Sequence, residues 1–471
     1  MSTIRVALLA VLAAFAAAPA AQRAVPPALA SYVTVSDEVV ALTGARVVDG
    51  TGAPARDGQT VVIRGERIEA AGPAAAVTIP QGARVIDLTG HTILPGLVAL
   101  HEHTYFGGVR HMTQMRASGP PLYLAFGVTT AMTAGSQFPY QELNLKSRVD
   151  AGLLPGPRFL ITGPYLNGGA LRTVSSRIVS TPEEVRRVIA YWASEGATWF
   201  KFQGGVSREV LKAGIGEAHA RGLRVTGHLC SVTFTEAAAL GIDALQHGFI
   251  TNSDYVAGKT PDVCPPENMR AQADVDVGSP DVQDSIRAIA RSGTAVVSTL
   301  GVYETFMPER FTPDPRALEM LDPAVRREVE TAHAELAKSP MTVPVRLLQK
   351  MMAWERDFVA AGGLLGAGSD PWGTGFLPGF GNLRNIELLV EAGFTFEEAV
   401  RISTLNGARI IGDEANVGSV EPGKRADLVV IRGNPVTSPQ GIYEVVTVFK
   451  DGLGYDSLRL RAAAKGKVGG S

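Results

Sequence analysis

Cysteine is nearly absent from this chain: Cys230 and Cys264 are the only two in 471 residues. That excludes a disulfide-built scaffold. Two thiolates alone cannot make a structural zinc site, which usually takes four nitrogen or sulfur ligands. One pair is free to bridge in an oxidising compartment, but sequence does not show that the two meet, so buried, inert thiols are the default expectation. Net charge is also scarce, at -2, and gives no footprint for nucleic acid or an anionic membrane. No segment is of low complexity. The apolar run near the start, Val6 to Ala18, falls short of the ~20 residues that a membrane-spanning helix needs.

That run has a different meaning. Arg5 precedes it and Ala18-Pro19-Ala20 follows it, which is the order of a cleaved secretory signal: a positive start, a short apolar stretch and a small-residue exit. Residues 1–21 are therefore expected to be a signal peptide, with a secreted or periplasmic mature protein that has no further membrane association; an uncleaved anchor is the alternative. The remaining length, with 45% hydrophobic residues, is ample for one large domain and a smaller one. The 52 glycines and 29 prolines fit an α/β chain with many tight connections.

Residues 39–93 contain short alternating strands broken at glycine: "VVALTGARVVDGTG", "QTVVIRGERIEAAG" and "ARVIDLTGHTILPG". "VGSVEPGKRADLVVIRGNP" and "YEVVTVFKDG" near the other end have the same character. A small β-sandwich domain built from 32–93 plus 414–455 is expected. Between them, in 94–413, buried strand-like runs alternate with amphipathic helices, which implies a parallel sheet. The candidate strands are "LVALHEH", "VTTAMTAG", "RFLITG", "TWFKFQG", "RVTGHL", "DALQHG", "TAVVSTL" and "LLGAGSD", and eight is the count of a (β/α)8 TIM-type barrel. Pro182 to Glu195 is an expected helix capped by Thr181; Glu209 to Arg221 and Phe396 to Ile411 are two others. Residues 252–292 show few clear elements and are expected to be an insertion over the barrel mouth.

Functional residues of such a barrel sit at the C-terminal ends of its strands, and several of these strands end in metal-ligand residue types. His101 and His103 close the first; residues two apart on a strand share a face, so both imidazoles can reach one ion. Lys201 lies inside an apolar run, where lysine is rarely left unpaired. His228, His247 and Asp370 follow at later strand ends. Each has an ordinary reading alone, as a hydrogen-bonded core histidine or a turn-capping aspartate. Together they point to a metal centre.

"ILPGLVALHEH", "GATWFKFQGG", "RGLRVTGHL", "GIDALQHG", "LLGAGSD", "EAVRISTLNGARIIG" and "VGSVEPGKRADLVVI" resemble, in order, the signatures of the amidohydrolase superfamily. The likeness is to its prolidase-like and imidazolonepropionase-related branch, over roughly residues 39–453. The resemblance implies a metal-dependent hydrolase of amide or other C–N bonds in a small molecule or short peptide derivative, acting through a hydroxide that bridges two divalent metal ions. His101, His103 and Asp370 would hold one ion, His228 and His247 the other. Lys201, as N6-carboxylysine, would bridge both, and Asp370 would also be the catalytic proton acceptor. Mixed nitrogen and oxygen ligands suit zinc.

Two departures stand out. Ala99 takes the place of an aspartate common in the family two residues before His101, which removes an orienting group. The tyrosine that dipeptidase-like relatives carry between the lysine and the next histidine is missing from 202–227. Glu102 points away from its histidine neighbours and is expected to be structural. Tyr105 and Tyr165 are weaker candidates for substrate contact, as are Arg110 and Trp372; His219, on the helix before "RGLRVTGHL", is expected to be packed or on the surface rather than liganding, and His111 and His333 have no spacing argument. A mononuclear deaminase or cyclic-amide or lactone hydrolase, and a non-catalytic barrel scaffold, remain as alternatives. The deaminase form would lack Lys201 and place a glutamate near the fifth-strand histidine, whereas the first one after His228 is Glu236. A homo-oligomer is left open.

Overall fold

The computed structural model describes residues 21–107, 112–169, 176–266, 268–339, 342–373 and 375–470. The expected signal segment, apart from residue 21, and the candidates Arg110 and His111 lie outside the described residues.

Strands from both chain ends combine in one nine-stranded mixed sheet. Val33–Val35, Val39–Val47, Arg56–Arg64, Arg67–Pro73, Arg84–Asp87 and His91–Pro95 come from the first part of the chain, and Leu428–Arg432, Val445–Lys450 and Leu453–Asp456 from the last. The seam is antiparallel, with Val430 opposite Ile93. The sheet buries a cluster of its own, including Val40, Leu42, Val61, Ile63, Leu428 and Phe449, so each chain end supplies apolar surface that the other covers. Its last hairpin turns at Asp451-Gly452, with φ of 50° and 76°; both central residues of this turn type need positive φ, which explains the Asp-Gly pair. Asp451 also pairs with Arg158 and Arg425, and Arg158 begins a strand of the central region.

The eight expected central strands all form. In chain order they are β1 (Leu97–Glu102), β2 (Val128–Thr133), β3 (Arg158–Leu160), β4 (Trp199–Phe202), β5 (Arg224–Gly227), β6 (Ala244–Gln246), β7 (Ala295–Ser298) and β8 (Leu365–Ala367). β1, β2 and β3 pair in parallel, and β4 to β8 pair in parallel in sequence order. The chain just past β3 meets β4 through a parallel bridge, Thr162 to Trp199. At the far edge the Asp370 N–H donates to the His101 carbonyl at 2.8 Å, so the segment after β8 is tied to β1. The strands are buried on both faces, as parallel strands covered by helices must be.

The helix Pro182–Ser194 starts where capping chemistry dictates: the Thr181 side chain accepts from the Glu184 N–H, and proline occupies the first turn. Val185, Val188 and Ile189 form its buried face, each contributing roughly 1.5–3 kcal/mol by leaving water. Arg208–His219 follows the same pattern from Ser207.

Three expectations are corrected. The segment 252–292 is not uniformly irregular: Pro280–Ser292 is a regular helix with Val282, Ile286 and Ile289 buried and Gly293 ending it at φ 79°. The proline, the 3–4 spacing and the glycine were its signals. Phe396 to Ile411 is two helices, Phe396–Ser403 and Leu405–Ile411, broken at Thr404 with ψ -86°.

The third correction concerns the cysteines, which are not free thiols. Cys230 and Cys264 form a disulfide, with Cα atoms 4.9 Å apart. It fastens the segment after β6 to the end of β5, two residues from His228. Closing a loop of this span restricts the unfolded chain. Replacing both cysteines by serine is expected to lower unfolding free energy by about 3 kcal/mol, read as an earlier denaturation midpoint under oxidising conditions; an unchanged midpoint would show that the bridge adds no stability.

Candidate active site

The first histidine pair sits where β1 ends. His101 and His103 are buried, with ring centroids 5.4 Å apart, so the alternation of the strand does turn both toward one space. The Tyr123 hydroxyl donates to the His103 carbonyl at 2.8 Å and fixes its backbone. Asp370, three residues past β8, reaches back to the pair: the His103 Nε2–H donates to Asp370 Oδ1 at 2.9 Å, and His101 Nε2 lies 3.6 Å from the same oxygen. Among the described residues, His103 Nδ1 is left buried with no partner.

Lys201 projects from β4 into the same space and is 2% exposed, with Nζ 3.0 Å from His101 Nε2. No ion pair to it forms among the described residues. Burial pulls its ammonium down to about 8, with Asp370 opposing. His247 follows β6; its ring is 4.5 Å from that of His101 and 4.6 Å from that of His228, which follows β5. All six residues expected at the site are thus gathered in one cluster. His101, His103, Lys201 and His247 are buried, while His228 and Asp370 are partly open.

Burial keeps the imidazoles neutral. It pushes His101, His103 and His247 below their usual range, and pushes His228, with help from Lys201, to about 4. Burial works against the Asp370 charge, but the His101 and His103 rings beside it hold the carboxyl well below the usual carboxylate range. The cluster therefore offers several lone pairs and one anion. The ligand atoms of His101, His103 and Asp370 lie within 4.8 Å of one another. This is a group that could hold a metal ion.

His247 has φ 71° and Asp370 φ 49°, a region that non-glycine residues seldom adopt. The structure holds both: the His247 N–H donates to the Val297 carbonyl and the Asp370 N–H to that of His101. Strain of this kind is kept where the surroundings fix an unusual side-chain direction.

Several residues around the cluster were not singled out from sequence. Gln246 is the most informative. Its Oε1 accepts from the His101 Nδ1–H at 2.6 Å, and its Nε2 donates to the Thr226 hydroxyl at 2.7 Å. That chain fixes the amide's direction and leaves the His101 Nε2 lone pair facing the site. Gln246 thus supplies the orienting contact that Ala99 cannot. A polar residue in the apolar run "DALQHG" was the available signal. Gln246→Leu is expected to lower activity or metal affinity about 10- to 100-fold, measured by turnover and by competition with a chelator; wild-type values would show that His101 needs no such partner.

Thr299 meets His247 Nδ1 at 2.8 Å. Glu102 is structural, as expected: it accepts from the Ser369 N–H at 2.9 Å and the Asn382 amide at 2.7 Å, and burial raises its carboxyl to about 7. It braces the segment that carries Asp370. The two tyrosines line the site. Tyr105 stacks on His103 at 4.8 Å, the Tyr165 ring lies 5.5 Å from Lys201 Nζ, and the two hydroxyls are 2.8 Å apart. His219 is an exposed partner of Asp243 at 2.9 Å, away from the cluster.

Residues 92–454 match the amidohydrolase family. Over 397 residues the chain is 25% identical to an imidazolonepropionase of Porphyromonas gingivalis, covering 79% of this chain and 82% of that protein. A crystal structure from Bifidobacterium longum, assigned as a prolidase, is 26% identical with a TM-score of 0.66, over 88% of this chain and 94% of that one. Bottromycin amidohydrolase is similar in fold, with a TM-score of 0.69 at 21% identity over 93% and 94% of the two chains. The architecture is accordingly a TIM-barrel-type α/β fold. The family match spans β1 to β8 with all six clustered residues, and the chain belongs to the amidohydrolase family, hydrolases that act on carbon–nitrogen bonds.

Proposed function

We propose that this protein is a binuclear metal-dependent amide hydrolase acting on a small molecule or short peptide derivative outside the cytoplasm. The observation that carries the reading is Lys201, buried among four histidines and Asp370 with no ion pair to it among the described residues. A lysine depressed toward neutrality can attack carbon dioxide through its amine lone pair: an N–C bond forms, a proton leaves, and the product is an anionic carbamate. As a carbamate, Lys201 would add an anionic oxygen donor to the group formed by His101, His103, His228, His247 and Asp370. This is how one residue would join two metal positions.

Two divalent cations held there would lower the pKa of a water and polarise the scissile carbonyl. Zinc suits the mixed nitrogen and oxygen donors. The protein's own part is positioning and proton transfer. Asp370, ionised and partly open, takes the proton from the attacking water and returns it to the leaving nitrogen. Tyr105 and Tyr165 form the wall that substrate meets beside His103 and Lys201. Gln246 and Thr299 hold the rings of His101 and His247 in direction.

The parallel strands are read as a closed eight-stranded barrel, supported by the Thr162–Trp199 bridge and the Asp370–His101 hydrogen bond. The terminal sheet, with its separate apolar cluster, is read as a β-sandwich. The N-terminal apolar run and the Cys230–Cys264 bridge support an oxidising compartment, and no helix among the described residues is long and apolar enough to cross a membrane. The similarity to imidazolonepropionase favours a cyclic amide as the second substrate class.

A screen of metal-loaded enzyme against N-acyl amino acids, dipeptides, cyclic amides and lactones tests this reading. Hydrolysis confined to carbon–nitrogen bonds is expected. Turnover of lactones alone, or ammonia release from amino-heterocycles alone, would overturn it.

A further inference from the structure

Two ladders of rings leave the cluster and end at the same cavity. On one side His103 stacks on Tyr105, whose ring meets that of Trp372 edge-on at 6.3 Å. On the other, the His247 ring meets Tyr303 edge-on at 5.4 Å, and Tyr303 lies 6.3 Å from Phe306. Trp372 and Phe306 both line a cavity of about 500 Å³. Phe311, Val329 and Leu336 complete its apolar wall, and His333 is set among them, edge-on to Phe311 at 6.1 Å. Much of the wall belongs to the helix Pro323–Glu335 and the turn after it, part of the long segment between β7 and β8.

Two features mark this cavity as a place for part of a ligand. Its volume is within the range of small-molecule sites, roughly 300–1,000 Å³. Trp372 stays 37% exposed only two residues from Asp370, a large apolar surface left beside the chemistry.

We infer that this cavity is the specificity pocket of the proposed hydrolase, and that it takes an aromatic substituent. The inference rests on the amide-hydrolase reading for its chemistry, but the pocket's preference is a binding property that can be read separately. The ring fills the space between Phe306, Phe311 and Leu336, and the amide emerges past Trp372 beside Asp370. Substrates with small side chains leave this apolar surface wet.

The test uses holoenzyme and a matched series: N-acetylglycinamide, N-acetylleucinamide, N-acetylphenylalaninamide and N-acetyltyrosinamide. Acetate release gives kcat/KM and calorimetry gives Kd. The two aromatic compounds are expected to exceed the glycine compound about 10- to 100-fold. Ala332→Trp, which fills the pocket from the Pro323–Glu335 helix, should remove the aromatic advantage, read as the ratio of the aromatic to the glycine kcat/KM in one preparation.

Equal constants across the series in the unmodified enzyme would overturn the pocket while leaving the hydrolase reading intact. Preferential binding without turnover would support the pocket and overturn the hydrolase reading for this class of amide. An aromatic advantage that survives Ala332→Trp would place the ring elsewhere and overturn the assignment.

Discussion

Lys201→Ala is expected to lower kcat/KM by about 10³-fold or more, because metal-assisted stabilisation is worth several kcal/mol and ~4 kcal/mol corresponds to that factor. The side chain is 2% exposed on a strand paired on one side through Thr226, so the backbone has little reason to move. What disappears is the anion proposed to join two metal positions. The vacated space would be bounded by the His101 ring and the Tyr165 face, and a short carboxylic acid such as acetate or propionate has the charge and size to enter it. Partial recovery with such acids is expected, measured as turnover against acid concentration, with an unchanged thermal midpoint as the control for folding. Full activity of the variant with no added acid would refute the carbamate.

Asp370→Asn should act by a different route. Asparagine keeps the shape of aspartate and tolerates positive φ, so the strained backbone at φ 49° and the N–H to the His101 carbonyl are both compatible with it. The carboxylate is lost, and with it the proposed proton acceptor and one anion of the cluster. A fall in kcat of about 10²- to 10⁴-fold is expected, the usual worth of a positioned general base, with a smaller change in KM. Asp370→Ala would remove the same group but also strain the turn, so the asparagine variant separates chemistry from folding. Retained kcat in Asp370→Asn would assign the proton to another group.

The sequence was most legible where one residue type has few uses. Eight buried runs ending in glycine or a polar turn located the central strands, because a parallel strand has no solvent face to disguise it. Histidine, lysine and aspartate at those ends located the cluster, because chemistry in this architecture gathers where strands stop. The terminal sheet was legible through its alternation and its Asp-Gly turn. Long-range contacts were not. Gln246 lies 145 residues from the ring it orients, and nothing local to "DALQHG" says which imidazole its amide meets. The Cys230–Cys264 bridge depends on how the segment after β6 folds back. The break at Thr404 is tertiary: two helical stretches of compatible pattern pack at different angles, and propensity alone joins them. The ring-lined cavity is assembled by residues 306 to 372, from elements that have no common sequence pattern.

Family membership establishes a hydrolase of carbon–nitrogen bonds; the two-metal form is the claim most specific to these residues. Metal content of the protein, purified without chelator and reloaded in the presence of bicarbonate, tests it most directly. Close to two divalent ions per chain are expected, falling on Lys201→Ala; a value near one that is unaffected by that substitution would contradict the account.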